Sequence, residues 1–248
     1  MSLLELADVD AYYDESHILR DVSMRVEEGE VCALLGRNGA GKTTTLRSIA
    51  GAQPPDVRGG SIHFRGEDIT SNDPEDVSSH GISLVPEERR VFPDLTVAEN
   101  LHLAEVDQNV SNTIGRSLPD VQHEGMTTEE VYEEFERLRE RREQKAGTLS
   151  GGEQQMLAIA RALKQNTDLL MLDEPYEGLA PQIIANVEDA IRRISESGTT
   201  ILLVEQNAAA AIKLADRCYV VDQGEIVFDG TAERLRDDEE TRERYLGV

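Results

Sequence analysis

Cysteine is scarce in this sequence: only Cys32 and Cys218 occur, each inside an apolar, strand-like run. Two buried thiols exclude a disulfide framework and a cysteine-based zinc site. No apolar run approaches the roughly 20 residues of a membrane-spanning helix. The opening Met1-Ser2-Leu3-Leu4-Glu5 lacks the basic and apolar blocks of a secretory leader, so a cytoplasmic chain is expected. Positive charge is the third deficit. Lysine and arginine number 25 against 49 acidic residues, for a formal net charge of −24, and lysine occurs only as Lys42, Lys145, Lys164 and Lys213. That balance argues against a nucleic-acid backbone as the main partner. A carboxylate-rich, lysine-poor surface suits concentrated salt, where screening suppresses self-repulsion, and a halophilic source is expected.

The most informative stretch present is Gly36-Arg37-Asn38-Gly39-Ala40-Gly41-Lys42-Thr43, preceded by Val31-Cys32-Ala33-Leu34-Leu35 and followed by Thr44-Thr45-Leu46. It fits the phosphate-binding loop between a buried strand and a helix. Glycines let the backbone turn tightly and approach a polyphosphate, while the helix start adds free N–H donors and positive potential. Lys42 is expected on the β and γ phosphates, and the Thr43 hydroxyl on Mg2+.

At 248 residues the chain suits one large domain. Strands are expected over 3–6, 18–26 and 31–35, with Tyr12-Tyr13 in a polar turn where an aromatic ring, preferably Tyr13, could stack on adenine. A Pro/Gly-rich loop is expected over 51–60, a hairpin-like segment over 60–69, a strand over 81–86 and a helix over 94–106. Residues 107–128 read as a polar insertion. Thr127 and Glu130 form a capping-box pattern before a helix with Val131, Phe135 and Leu138 on one face.

Leu149-Ser150-Gly151-Gly152-Glu153 opens a helix reaching Leu163, a second possible anion site. Asp168 to Pro175 reads as a buried strand ending in two acids: Asp173 is suited to Mg2+ and Glu174 to orienting and deprotonating a water. A strand over 199–204, a helix over 208–215, a hairpin over 217–228 and a charged helix over 231–246 complete the reading.

In this order the pieces resemble the ATP-binding subunit of ABC transporters over nearly the whole chain. Leu149-Ser150-Gly151-Gly152-Glu153, similar to that family's signature, is the most specific element. The resemblance implies an α/β phosphate-loop NTPase fold in one domain over 1–248, with a RecA-like core, an antiparallel β subdomain and a helical subdomain at about 88–163. It implies ATP and Mg2+ as cofactors. Gly36, Asn38, Gly39, Ala40, Gly41, Lys42, Thr43 and Thr44 would contact the nucleotide. In the family two subunits sandwich two ATP molecules head to tail, so Ser150, Gly151 and Gly152 would face the γ phosphate on the partner's Lys42.

Three positions depart from the broad pattern. The lid glutamine falls on Glu87, grouped here with the metal residues Thr43 and Asp173; the switch histidine falls on Gln206; the D-loop aspartate falls on Ala180. Yet Val85-Pro86-Glu87, Arg89-Arg90-Val91-Phe92, Gly178-Leu179-Ala180-Pro181 and Val204-Glu205-Gln206-Asn207 resemble subunits of branched-chain amino acid importers, which are active as a group. Gln206 can donate to a γ phosphate but cannot carry the positive charge of an imidazole. The implied partners are membrane permease subunits, contacted through the region from Glu87 to Leu101, a second identical or related ATPase and, indirectly, an extracytoplasmic solute-binding protein. The implied location is the cytoplasmic face of the membrane. A urea or short-chain amide importer, a non-transport ABC ATPase and a non-hydrolysing nucleotide-binding partner stay open as alternatives.

Overall fold

The computed structural model describes residues 2–104 and 125–248. The insertion expected at 107–128 lies outside the described residues as far as 124.

A six-stranded sheet forms the centre. It contains β3 (Val31–Leu35), β6 (Ile82–Val85), β7 (Leu169–Asp173), β8 (Thr200–Glu205), β9 (Arg217–Asp222) and β10 (Glu225–Thr231), in the order β10-β9-β3-β8-β7-β6. All neighbouring pairs run parallel except β10 with β9. Such strands are covered on both faces, which explains their unbroken apolar runs. Successive side chains point to opposite faces, and two cores result. Val31, Ala33 and Leu35 of β3, with Leu170 and Leu172 of β7, enter one core; Cys32 and Leu34, with Leu169 and Met171, enter the other.

The second core is closed by a four-stranded antiparallel sheet of β1 (Ser2–Tyr13), β2 (Ser16–Glu27), β4 (Asp56–Phe64) and β5 (Glu67–Asp68), ordered β2-β1-β4-β5. Between the sheets lies α1 (Lys42–Ile49), which buries Leu46 and Ile49 there. The first core is covered by helices in chain order after α2 (Pro74–Ser79): α3 (97–104), α4 (Thr128–Glu134), α5 (Glu136–Glu140), α6 (Gly151–Leu163), α7 (Pro181–Glu196), α8 (Ala208–Leu214) and α9 (Ala232–Asp237). A short α10 (Glu239–Thr241) and a π-helical turn (Arg242–Leu246) end the chain.

Several expectations need correction. Tyr12 and Tyr13 close β1 instead of lying in a turn, because they pair with His17 and Ser16. The Pro/Gly-rich stretch is a loop only to Pro55. Gly59 and Gly60 belong to β4, where Gly60 marks a shift of register against β1, and a Cβ on it would lie 2.3 Å from the Ala7 carbonyl. Here glycine signals a bulge in a strand. The capping box at Thr127 forms, but the helix breaks at Phe135, which leaves helical geometry with ψ 71° while its ring stays buried. The 94–106 helix begins at 97, and the single tail helix is three short pieces. The longest helix among the described residues, α7, was not read from the sequence; its buried Val187, Ala190, Ile191 and Ile194 follow the helical repeat.

Candidate functional site

The phosphate loop joins the end of β3 to α1. Gly39 and Gly41 have φ of 80° and 117°, a region that side chains bearing a Cβ rarely adopt. At Gly36 the constraint is space: a Cβ would lie 2.4 Å from the Val221 carbonyl oxygen. Lys42 is buried and donates to the carbonyls of Gly36 at 2.8 Å and Arg37 at 3.2 Å. Its Nζ also lies 3.0 Å from Glu174 Oε1. Ala40 and Thr44 are buried, whereas Asn38 and Thr43 are exposed.

The parallel pairing of β7 with β8, and β8 with β3, carries the two acids to this loop. The Thr43 hydroxyl donates to Asp173 Oδ1 at 3.4 Å. Burial pushes the Asp173 carboxyl up to about 6; the Thr43 bond opposes the rise, and the charges of Glu174 and Glu87 reinforce it. A hydroxyl and a carboxylate poised together are hard oxygen donors that fit Mg2+, which keeps its other positions for phosphate and water. Among the described residues no group of three or more His, Cys, Asp or Glu side chains could hold a metal. Glu87 is exposed, and slight burial plus the charges of Glu177, Glu88 and Glu174 raise its carboxyl.

Glu174 has a left-handed φ of 48° and is held by its N–H bond to the Val204 carbonyl at 2.9 Å. One residue beyond Val204 stands Glu205, a buried carboxylate that sequence reading passed over. It accepts from the backbone N–H of Tyr176 and of Asn207, both at 3.1 Å, so it pins the turn after Glu174 to the loop carrying Gln206. Burial pushes its carboxyl up to about 7 despite those two bonds. The only signal in the chain was an acid at the end of an otherwise apolar strand. Gln206 itself is exposed.

Ser150 caps α6 in a reciprocal capping box. Its hydroxyl and N–H donate to Glu153 Oε2 at 2.8 and 2.9 Å, and the Glu153 N–H donates back to the hydroxyl at 3.3 Å. Gly152 has a packing role as well: a Cβ there would lie 2.0 Å from Ile183 Cγ2 of α7. Arg89 meets this helix from the segment after β6, with its Nε donating to Gln155 Oε1 at 3.1 Å. Ala180 is the N-cap of α7 and provides no side-chain cap.

At the end of β1 the Tyr12 ring is covered on two sides, stacked at 4.3 Å on His17 and lying 4.7 Å beneath the Arg58 guanidinium. Tyr13 is half-buried. The structure thus gathers Lys42, Thr43, Asp173 and Glu174 around one loop. Such an assembly can neutralise a polyphosphate, hold a hard cation and place a carboxylate against a water.

A family profile described as ABC transporter matches residues 19–177. The chain is 43% identical to the high-affinity branched-chain amino acid transport ATP-binding protein BraG of Pseudomonas aeruginosa, over 99% of this chain and 100% of that one. It is 37% identical to the probable branched-chain amino acid transport ATP-binding protein LivF of Archaeoglobus fulgidus, over 99% of both. It is 33% identical to the lipopolysaccharide export system ATP-binding protein LptB of Haemophilus influenzae, over 100% of this chain and 98% of that one. Among solved structures, a nucleotide-free ATP-binding cassette from an ABC transporter aligns with a TM-score of 0.80 and 26% identity, over 100% of this chain and 99% of that one. The ADP conformation of another such cassette gives 0.80 and 27%, over 98% of both.

Proposed function

This chain belongs to the ABC transporter family of ATPases, and from that membership we propose that it powers an importer of branched-chain amino acids. The observation carrying the cargo is the 43% identity to BraG along the full length of both chains, against 33% to the lipopolysaccharide export protein.

In the proposed reaction Lys42 and the loop N–H groups bind the β and γ phosphates of ATP, with Tyr13 against adenine because Tyr12 is already covered on two sides. Thr43 and Asp173 would hold Mg2+, which neutralises charge on the phosphate oxygens when bound. Glu174 orients the attacking water and takes its proton; Gln206 donates to the γ phosphate. Ser150, Gly151 and Gly152 serve the nucleotide of a second subunit, identical or related, and that closure is what hydrolysis releases. ABC transporter ATPases act with membrane permease subunits. No helix among the described residues is long and apolar enough to cross a membrane. From the family membership we place the chain peripherally at the cytoplasmic face, docked through Glu87 to Leu101.

Transport by the reconstituted complex, with radiolabelled leucine against urea, tests the cargo. ATP-dependent leucine uptake is expected. Uptake of urea alone would move the chain to the amide importers, and phosphate release without uptake of either would remove the cargo assignment.

A further inference from the structure

Three segments that this reaction uses meet at one side chain. Arg89 follows Glu87 by two residues. Its Nε donates to Gln155 Oε1 at 3.1 Å, in α6 two residues past the signature, and its Nη2 donates to the Glu177 carbonyl at 3.0 Å, three residues after Glu174. Its Nη1 borders Gly151, where an added Cβ would lie 3.1 Å away. Gln155 is 2% exposed, and its Nε2 has no hydrogen-bond partner among the described residues.

The backbone is held to suit this arrangement. Arg89 and Arg90 have φ of 61° and 45°, two consecutive left-handed residues that are not glycine. Such geometry persists only where the surroundings over-determine it. Arg161 of α6 supplies part of that constraint: its Nη1 donates to the Arg90 carbonyl at 2.7 Å, and its guanidinium lies 4.6 Å over the Phe92 ring. A guanidinium is a planar fork with donors on several edges. It can hold two acceptors from different segments in fixed relation, whereas a lysine ammonium on a flexible stem is less able to.

We propose that Arg89 is a positioning residue for ATP hydrolysis, fixing the turn after Glu174 and the Glu87 segment against the first turns of the signature helix so that they move as one unit. The proposal rests on the ATPase reading above. Arg89 acts through Glu174 and Ser150, which meet the two nucleotides; Lys42 and Thr43 bind ATP without it. Attack on phosphate is sensitive to displacements of the order of an ångström, so loosening the clamp costs turnover and leaves binding intact.

The test uses the full purified chain with Mg2+ and ATP, comparing Arg89→Ala, Arg89→Lys, Gln155→Met and the double variant Arg89→Ala/Gln155→Met. For Arg89→Ala we expect kcat lower by about tenfold or more with KM for ATP and the affinity for a fluorescent ATP analogue within about threefold of the parent. The melting temperature should fall by no more than a few degrees, for the buried Gln155 oxygen left unpaired, and the double variant should recover part of that fall. Arg89→Lys should fall between, and the double variant should be no slower than Arg89→Ala, because Gln155→Met removes only a bond that Arg89→Ala has already removed. Parental kcat in Arg89→Ala overturns the proposal, as does a kcat loss accompanied by equal loss of binding or of thermal stability. Should Arg89→Ala fail to fold, Gln155→Met removes the same bond from its other end, and unchanged kcat there overturns the proposal equally. A parent chain that neither binds nor hydrolyses ATP overturns the ATPase reading and this inference with it; an active parent with an equally active Arg89→Ala overturns this inference alone.

Discussion

Lys42 Nζ and Glu174 Oε1 stand 3.0 Å apart, joining the phosphate loop to the acid that follows β7. The ammonium assigned to the phosphates and the carboxylate assigned to the water therefore neutralise each other, and a γ phosphate must compete with Glu174 for Lys42. Replacing Glu174 by Gln should lower turnover by about 10²–10⁴-fold, the range for a positioned general base. It should also tighten ATP binding and trap an ATP-bound dimer. Size-exclusion chromatography with ATP and a phosphate-release assay read both; unchanged turnover removes Glu174 from its role.

Gly152 separates packing from phosphate contact. A methyl at this position meets Ile183 at 2.0 Å, and overpacking of this kind typically costs about 1–3 kcal/mol. Gly152→Ala should be destabilised by that order in urea unfolding, and Ile183→Ala in the same chain should recover part of it. Parental stability in Gly152→Ala would refute the packing role.

Ala180 offers a gain of stability. Its backbone already has the extended geometry of an N-cap, with φ −69° and ψ 149°, but no side chain meets the first N–H groups of α7. Ala180→Asp should stabilise the fold by about 1 kcal/mol, and an unfolding midpoint at or below the parent's would count against this.

Glu205 sets a pH dependence. Its carboxyl is raised from the ordinary 4.5 to about 7, chiefly by burial. The unfolded chain releases this proton at lower pH than the folded one, so the contribution to stability is complete below about 4.5 and declines as pH rises through about 7. The decline is on the order of 3 kcal/mol for this group. Urea unfolding of the parent and Glu205→Gln at pH 5 and pH 8 should show the parent losing ground to the variant at the higher pH. A constant difference would refute it.

The charge of −24 predicts a salt response. Molar KCl should raise the melting temperature by screening carboxylate repulsion; equal melting in dilute buffer would exclude adaptation to salt.

Legibility in the sequence followed the range of the forces involved. The phosphate loop, the capping box at Thr127, the helix opening at Ser150 and the apolar strands were readable because each is fixed by neighbours within a few residues. The bulge at Gly60 was misread because its cause, the Ala7 carbonyl, is more than 50 positions away. Tyr12 and Tyr13 were misplaced for a related reason, since a polar strand end looks like a turn until its pairing partners are known.

By itself the sequence determined the phosphate-loop pattern, the acids that close an apolar strand and which stretches must be buried, since composition and local spacing carry that information. Only the tertiary structure decided that Lys42 faces Glu174, that Glu205 ties two loops together and that Arg89 spans from Gln155 to Glu177. Those relations depend on parallel strands and packed helices bringing together segments up to 132 residues apart, as at Lys42 and Glu174, and hydrogen-bond and ion-pair geometry exists only after that packing is complete.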